Sequence, residues 1–198
     1  MADALGVKGD ASVYDLSNAC LGVLNGMLEI ANRIELGQIR AGLVVSCETA
    51  REINEIAMAR LVGEARDEAR AGPGMDKFAE ALATFTGGSG AVAMLLTDGS
   101  FAGSSGHRLR GVVSQVAPEH HRLCRWGLEP ADASAGSPRY AQYMTTDSVA
   151  VLKHGVHLGQ QTWQLFLKEM GWTPAQIDRV VCHQVGSGHQ DAILKSLN

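Results

Sequence analysis

Apolar positions follow two rhythms along the chain. Continuous apolar runs at Ala41–Ser46 (AGLVVS) and Ala91–Leu96 (AVAMLL) have the length of strands buried on both faces. From Leu21 to Leu36 the apolar residues recur at helical spacing until Gly37 ends the run. Ala11–Leu16 (ASVYDL) reads as a further strand, and Ser17-Asn18 offers an N-cap before the helix. Strand, helix, strand is the order of a parallel crossover unit.

The same reading extends to the C-terminus. Arg51–Arg70 predicts an amphipathic helix with the stripe Ile53, Ile56, Ala57, Arg60 and Leu61, closed by Gly72-Pro73-Gly74. A shorter helix follows over Met75–Leu82. Asp98–Gly106 reads as a loop, Arg110–Val116 as a strand, and Ala117–Arg139 as a surface excursion rich in Pro, Gly and charge. A long helix from Thr146 or Asp147 to Met170 ends at Gly171, and its stripe Val149, Leu152, Val156, Trp163, Phe166, Leu167 and Met170 suits packing on a sheet. Thr173-Pro174 opens another helix, Val180 begins a short strand, and the last helix starts near Ser187.

Two side chains stand where chemistry is expected. Cys20 falls in the first turn of the Leu21–Leu36 helix, where unsatisfied N–H groups and the positive end of the dipole favour a thiolate, the nucleophilic form. His183 ends the run Val180-Val181-Cys182 and precedes the turn Gly186-Ser187-Gly188. Catalytic residues tend to lie where buried strands end. A cysteine and a histidine at two such places can form a nucleophile pair. The competing reading of Cys20 is a small core hydrophobe.

Composition narrows the classes. The chain of 198 residues is 45% hydrophobic and carries net charge −4, with its 17 Lys and Arg scattered, so no basic field awaits nucleic acid. No apolar run is long enough to span a membrane, and Asp3, Lys8 and Asp10 break any signal-peptide pattern, which places the protein in the cytoplasm. The four cysteines, Cys20, Cys47, Cys124 and Cys182, are irregularly spaced, which disfavours a disulfide framework. His120, His121 and Cys124, or His154 and His157, lack a second half at zinc-site spacing, and no metal is expected. Gly87-Gly88-Ser89-Gly90 precedes a strand and lacks the Lys-Ser/Thr of a phosphate loop, so a tight turn or close backbone packing fits it better.

The string Asn18-Ala19-Cys20-Leu21-Gly22-Val23-Leu24-Asn25-Gly26-Met27, the strand Leu43-Val44-Val45 leading to Glu48, the Gly87–Gly90 turn and Cys182-His183-Gln184-Val185 occur in one order. Together they resemble the thiolase superfamily, in the branch of ketoacyl synthase III and the OleA-type acyl-CoA condensing enzymes. Leu21 after the cysteine and Val185-Gly186 after His183-Gln184 look closer to the OleA type.

The resemblance implies an α/β protein with the thiolase-like layered α/β/α/β/α fold, here partial. Residues 1–100 would belong to the N-terminal half with the nucleophile, and residues 101–198 to the C-terminal half with the histidine. It further implies Cys20 as the acyl-accepting nucleophile and His183 as a hydrogen-bond donor to the thioester or enolate oxygen. The backbone N–H of Cys20 and one from a glycine loop would form the oxyanion hole. The family's asparagine and closing strand would follow Asn198, and its first strands would precede Met1. The chain thus resembles the middle of a longer enzyme.

The implied reaction is a Claisen-type condensation of fatty acyl thioesters through an acyl-cysteine, giving a 2-alkyl-3-oxoacid. Acyl-CoA or acyl-carrier-protein thioesters would be the substrates, no cofactor would be needed, and the enzyme would be a homodimer. Two alternatives remain: a decarboxylating 3-oxoacyl-acyl-carrier-protein synthase III, and a non-catalytic subunit that needs a fuller partner.

Overall fold

The computed structural model describes residues 2–67, 75–101, 103, 106–131, 139–183 and 187–197. The helix end expected at Arg70 and Gly72-Pro73-Gly74, and the residues Gln184, Val185 and Gly186, lie outside the described residues. The chain divides into two compact units, Met1–Cys47 with Gly90–Arg110 and Glu48–Ser89 with Gly111–Asn198.

In the first unit α1 (Gly22–Glu35) follows a 3-10 turn over Ala19–Leu21. It packs against β1 (Ala41–Glu48) and β2 (Gly90–Thr97), which pair as a two-stranded sheet. The Asp98 N–H donates to the Arg40 carbonyl at 2.9 Å, joining the end of β2 to the start of β1, so the strands run in opposite directions. Small residues make the close contact. A Cβ on Gly26 would stand 3.1 Å from Val44 Cγ1, so the glycine lets helix and strand approach. Ile30 is the buried apolar residue of this interface at 9% exposure.

The second unit holds α2 (Arg51–Asp67), α3 (Met75–Phe85), the antiparallel hairpin β3 (Cys124–Ala131) and β4 (Arg139–Thr146), α4 (Ser148–Met170) and α5 (Ser187–Ser196). Helices α2 and α3 pack on β4 and on each other, and α4 meets α3 and α5. Cys124 faces Thr146 in the hairpin register, with Sγ and Oγ1 3.5 Å apart. Asp147 caps α4 by accepting from the Ala150 N–H at 2.9 Å, and Gly171 closes it at φ 64°.

Several expectations need correction. Ala11–Leu16, Arg110–Val116 and the Val180 segment form no strand among the described residues, and the parallel crossover is therefore not seen. Val116 and Val181 are 81% and 89% exposed. An apolar run becomes a strand only where a neighbour takes its hydrogen bonds, and here none of the described residues does. Ala117–Arg139 is not merely an excursion, because it contains β3. Neither Ser17 nor Asn18 caps α1: its N-cap position is Leu21, and no side chain bonds there. The helix expected at Thr173-Pro174 is one 3-10 turn over Pro174–Gln176 with a Thr173/Gln176 capping box.

Candidate active site

Cys20 sits in the turn that feeds α1, with its side chain exposed. The turn closes through the Leu21 N–H, which donates to the Asn18 carbonyl at 3.0 Å. Its first residue, Ala19, has φ 43°, a left-handed conformation that disfavours any side chain beyond glycine. The backbone therefore reverses sharply at residue 19, and Cys20 emerges at the open N-terminal end of the helix.

Side chains on both flanks hold that reversal. The Asn18 amide donates to Asn25 Oδ1, two helical turns on. Farther back, the Arg33 guanidinium lies 5.3 Å from the centre of the Tyr14 ring and donates to Glu29 at 2.9 Å. The bond to Glu29 comes first, and the neighbouring Tyr14 second, among the causes that raise the Arg33 pKa. Tyr14 meets the end of α1 and Asn18 its beginning, so residues 14–18 run back along the helix to reach Cys20.

His183 is exposed and lies in the irregular stretch between the Pro174–Gln176 turn and α5. Cys20 belongs to the first unit and His183 to the second, and neither unit carries both. The glycine run also serves local structure. The Gly87 N–H donates to the Thr84 carbonyl at 3.1 Å as α3 ends, and Ser89 Oγ accepts from the Ala50 N–H at 3.0 Å where α2 begins.

Within the second unit a cavity of about 110 Å3 opens among Ile53, Ile56 and Leu61 of α2, Ala81 and Thr84 of α3, and Met144 of β4. The α2 side is the stripe that periodicity had marked as a packing face. At its margin Arg60 pairs with Glu129 of β3 at 3.0 Å, both half-exposed, a contact worth little by itself.

Among the described residues no cluster of three or more His, Cys, Asp or Glu could hold an ion. His120 and His154 instead meet ring to ring at 3.8 Å. Water loss at the half-buried His154 ring, and then positive charge at His120, Lys153 and His157, lower its pKa against the pull of Asp147. The sequence signalled Cys20, His183 and the α2 stripe. It gave no sign of Ala19's conformation or of Asn25, whose role exists only once residue 18 is folded back onto α1.

No protein-family model matches the chain. It is 50% identical, over its whole length, to the acyl-CoA:acyl-CoA alkyltransferase of Shewanella oneidensis, of which it covers 54%. It is 32% identical over 97% of its length to the protein of the same name from Xanthomonas campestris, covering 51% of it. A beta-ketoacyl-acyl-carrier-protein synthase III of Streptomyces coelicolor is 25% identical over the full chain, which covers 53% of that protein.

Solved structures of Xanthomonas campestris OleA superpose on 99% of the chain. One with cerulenin bound has a TM-score of 0.80 at 30% identity, with 51% of that chain covered. A cysteine-to-serine variant with bound lauric acid and lauroyl-CoA has a TM-score of 0.75 at 31% identity, with 52% covered. The chain spans about half the length of the curated relatives it matches. Its fold is thiolase-like, and its sequence is similar to the OleA type, as the motif order had implied.

Proposed function

We propose that this chain carries the nucleophile and the histidine of an OleA-type enzyme that condenses two fatty acyl thioesters. The observation that carries the reading is 50% identity, along the entire chain, to an acyl-CoA:acyl-CoA alkyltransferase. The local geometry supports it: an exposed cysteine follows a left-handed residue at the start of a helix.

In this reading the Cys20 thiolate attacks the carbonyl of one acyl thioester. The C–S bond to the carrier breaks, the carrier leaves as a thiolate, and acyl-Cys20 remains. A second acyl thioester then loses its α-proton to a base, and the enolate carbon attacks the acyl-Cys20 carbonyl. The Cys20 thiolate is expelled, and a 2-alkyl-3-oxoacyl thioester forms. Water cleaves that thioester to the 2-alkyl-3-oxoacid. His183 donates a hydrogen bond to the enolate oxygen, and such preorganised donors contribute most where charge develops.

The cavity beside the α2 stripe suits part of an acyl chain, and mixed apolar walls are what such a chain needs. Residues 1–100 and 101–198 fall to the two thiolase-like halves. Coenzyme A thioesters are the substrates in this reading, an acyl carrier protein is the other possible donor, and no cofactor takes part. The exposed apolar side chains of the β1–β2 sheet, Leu43, Val92 and Leu95, support a homodimer. Among the described residues no helix is long and apolar enough to cross a membrane, and the reaction is assigned to the cytoplasm.

The test is intact-mass spectrometry after incubation with lauroyl-CoA. The unaltered chain gains one lauroyl group, mapped to the Cys20 peptide, and Cys20→Ala gains none. An acylated Cys20→Ala variant would overturn the nucleophile assignment. Twenty-five per cent identity to a synthase III keeps decarboxylative condensation as the comparison, and product analysis with malonyl and plain acyl donors separates the two.

A further inference from the structure

We infer that Asn25 is a positioning residue for Cys20: by accepting the Asn18 amide it holds Ala19 in its left-handed turn and so sets the exposure of the thiol. This rests on the reading of Cys20 as the nucleophile, which the lauroyl-CoA experiment tests separately.

The argument begins with the cost of the turn. Ala19 has φ 43°, where its Cβ crowds the backbone, and an alanine left to itself moves back to negative φ. The Leu21-to-Asn18 hydrogen bond closes the turn locally, yet a single bond of that type also forms in turns built with negative φ. Something beyond the turn must select the strained form.

Two contacts do so from α1. Tyr14 lies against Arg33, and Asn18 is tied to Asn25. Leu16 comes close as well, with its carbonyl 3.7 Å from where a Gly22 Cβ would stand. Residues 14–18 are thereby laid along the helix in the direction opposite to it. Between Asn18 on that segment and Gly22 at the first turn of α1, Ala19, Cys20 and Leu21 must reverse the chain. The left-handed residue is where the reversal happens.

Asn25 is the nearer anchor. It lies on α1 seven positions beyond Asn18 and is half-buried. Removing its oxygen frees Asn18 to lift from the helix, lets Ala19 relax, and moves Cys20 away from the helix end. Asn25 does not touch the thiol chemistry itself, because its contact is with Asn18. It acts on Cys20 through the backbone.

The experiment measures the rate of iodoacetamide alkylation at each cysteine in the full chain, by peptide mass spectrometry, with Cys47 as the internal standard. Cys47 is also exposed, lies on β1 in the same unit, and has no part in the turn. In Asn25→Ala the Cys20 rate changes about tenfold while the Cys47 rate stays within twofold, the scale expected when one left-handed alanine is released. In the double variant Ala19→Gly with Asn25→Ala the Cys20 rate returns towards the original, since glycine adopts positive φ without crowding. That rescue separates positioning from general loosening, which would alter Cys47 too and would not respond to glycine at position 19.

The proposal is overturned if Asn25→Ala leaves the Cys20 rate within twofold, if Cys47 changes by the same factor, or if Ala19→Gly brings no recovery. A chain whose Cys20→Ala variant still accepts a lauroyl group removes the catalytic meaning of residue 20 and leaves the alkylation result readable on its own.

Discussion

Gly42 of β1 lies directly beneath Ile30 of α1, so close that a Cβ on the glycine would stand 2.7 Å from Ile30 Cγ2 and 2.8 Å from Cδ1. Ile30 is the buried apolar anchor of the helix that begins at the candidate nucleophile. The seating of α1 on β1 therefore depends on the absence of one methyl group.

Gly42→Ala should destabilise the first unit by ~1–3 kcal/mol, because a β-branched side chain cannot withdraw from the added methyl. Gly111→Ala is the matched comparison. Its Cβ would meet Met170 Sδ at 2.8 Å, but a methionine tip swings aside, and the loss should stay near ~0.5 kcal/mol. Denaturant midpoints of the two variants check the contrast, and equal losses would mean that α1 shifts freely on β1.

Asp147→Ala should cost ~1 kcal/mol, since it removes the side-chain acceptor of the Ala150 N–H at the start of α4. Asp147→Asn should recover most of it. Circular dichroism on thermal unfolding reads both, and a loss below 0.3 kcal/mol, about the uncertainty of such a comparison, would show the cap to be idle.

His183→Ala should leave lauroylation of Cys20 intact while slowing carbon–carbon bond formation by ~100-fold or more, the scale of losing one oxyanion donor. Rapid-quench product analysis separates the two steps. Equal loss of both would assign His183 to the first step as well.

The paired rings of His120 and His154 should make the second unit sensitive to mild acid. The folded protein holds the His154 pKa below its unfolded value of 6.5, so the unfolded chain binds the extra proton more readily. Stability therefore falls as pH drops through 6.5, and the fall is complete once pH passes the folded pKa. His120→Gln removes one nearby positive charge, so by nuclear magnetic resonance the His154 titration should move upward. An unchanged midpoint would leave desolvation, with the charges at Lys153 and His157, as the causes.

Asp98 acts in the same direction but in a more acidic window. Its carboxylate accepts from Ser100, first of the causes that lower its pKa, and lies 3.5 Å from Arg40 Nε. The stabilisation is present above the unfolded pKa of 3.8 and disappears as pH falls through the lower folded value. Amide exchange at Ser100, whose N–H donates to Asp98 Oδ1 at 2.9 Å, should stay protected at pH 4, and early loss there would refute the assignment.

Helices α1 and α4, the strands β1 and β2, and the position of Cys20 at a helix start could all be read from residue order. Helical periodicity, a capping aspartate and a closing glycine act within a few residues, and a continuous apolar run marks a strand; the expected burial of β1 and β2 on both faces is not met, since Leu43, Val92 and Leu95 are exposed among the described residues. The order of motifs also disclosed the thiolase-like fold. Tertiary structure alone decided which remaining apolar runs became strands. Residues 124–131 and 139–146 found each other across a charged, proline-containing stretch, while 11–16 and 110–116 took no partner among the described residues. A strand's hydrogen bonds go to distant chain, so its own residues cannot fix them. The same holds beside the candidate nucleophile, where Asn18 meets Asn25 and Tyr14 meets Arg33, partners that come within reach only after α1 has formed.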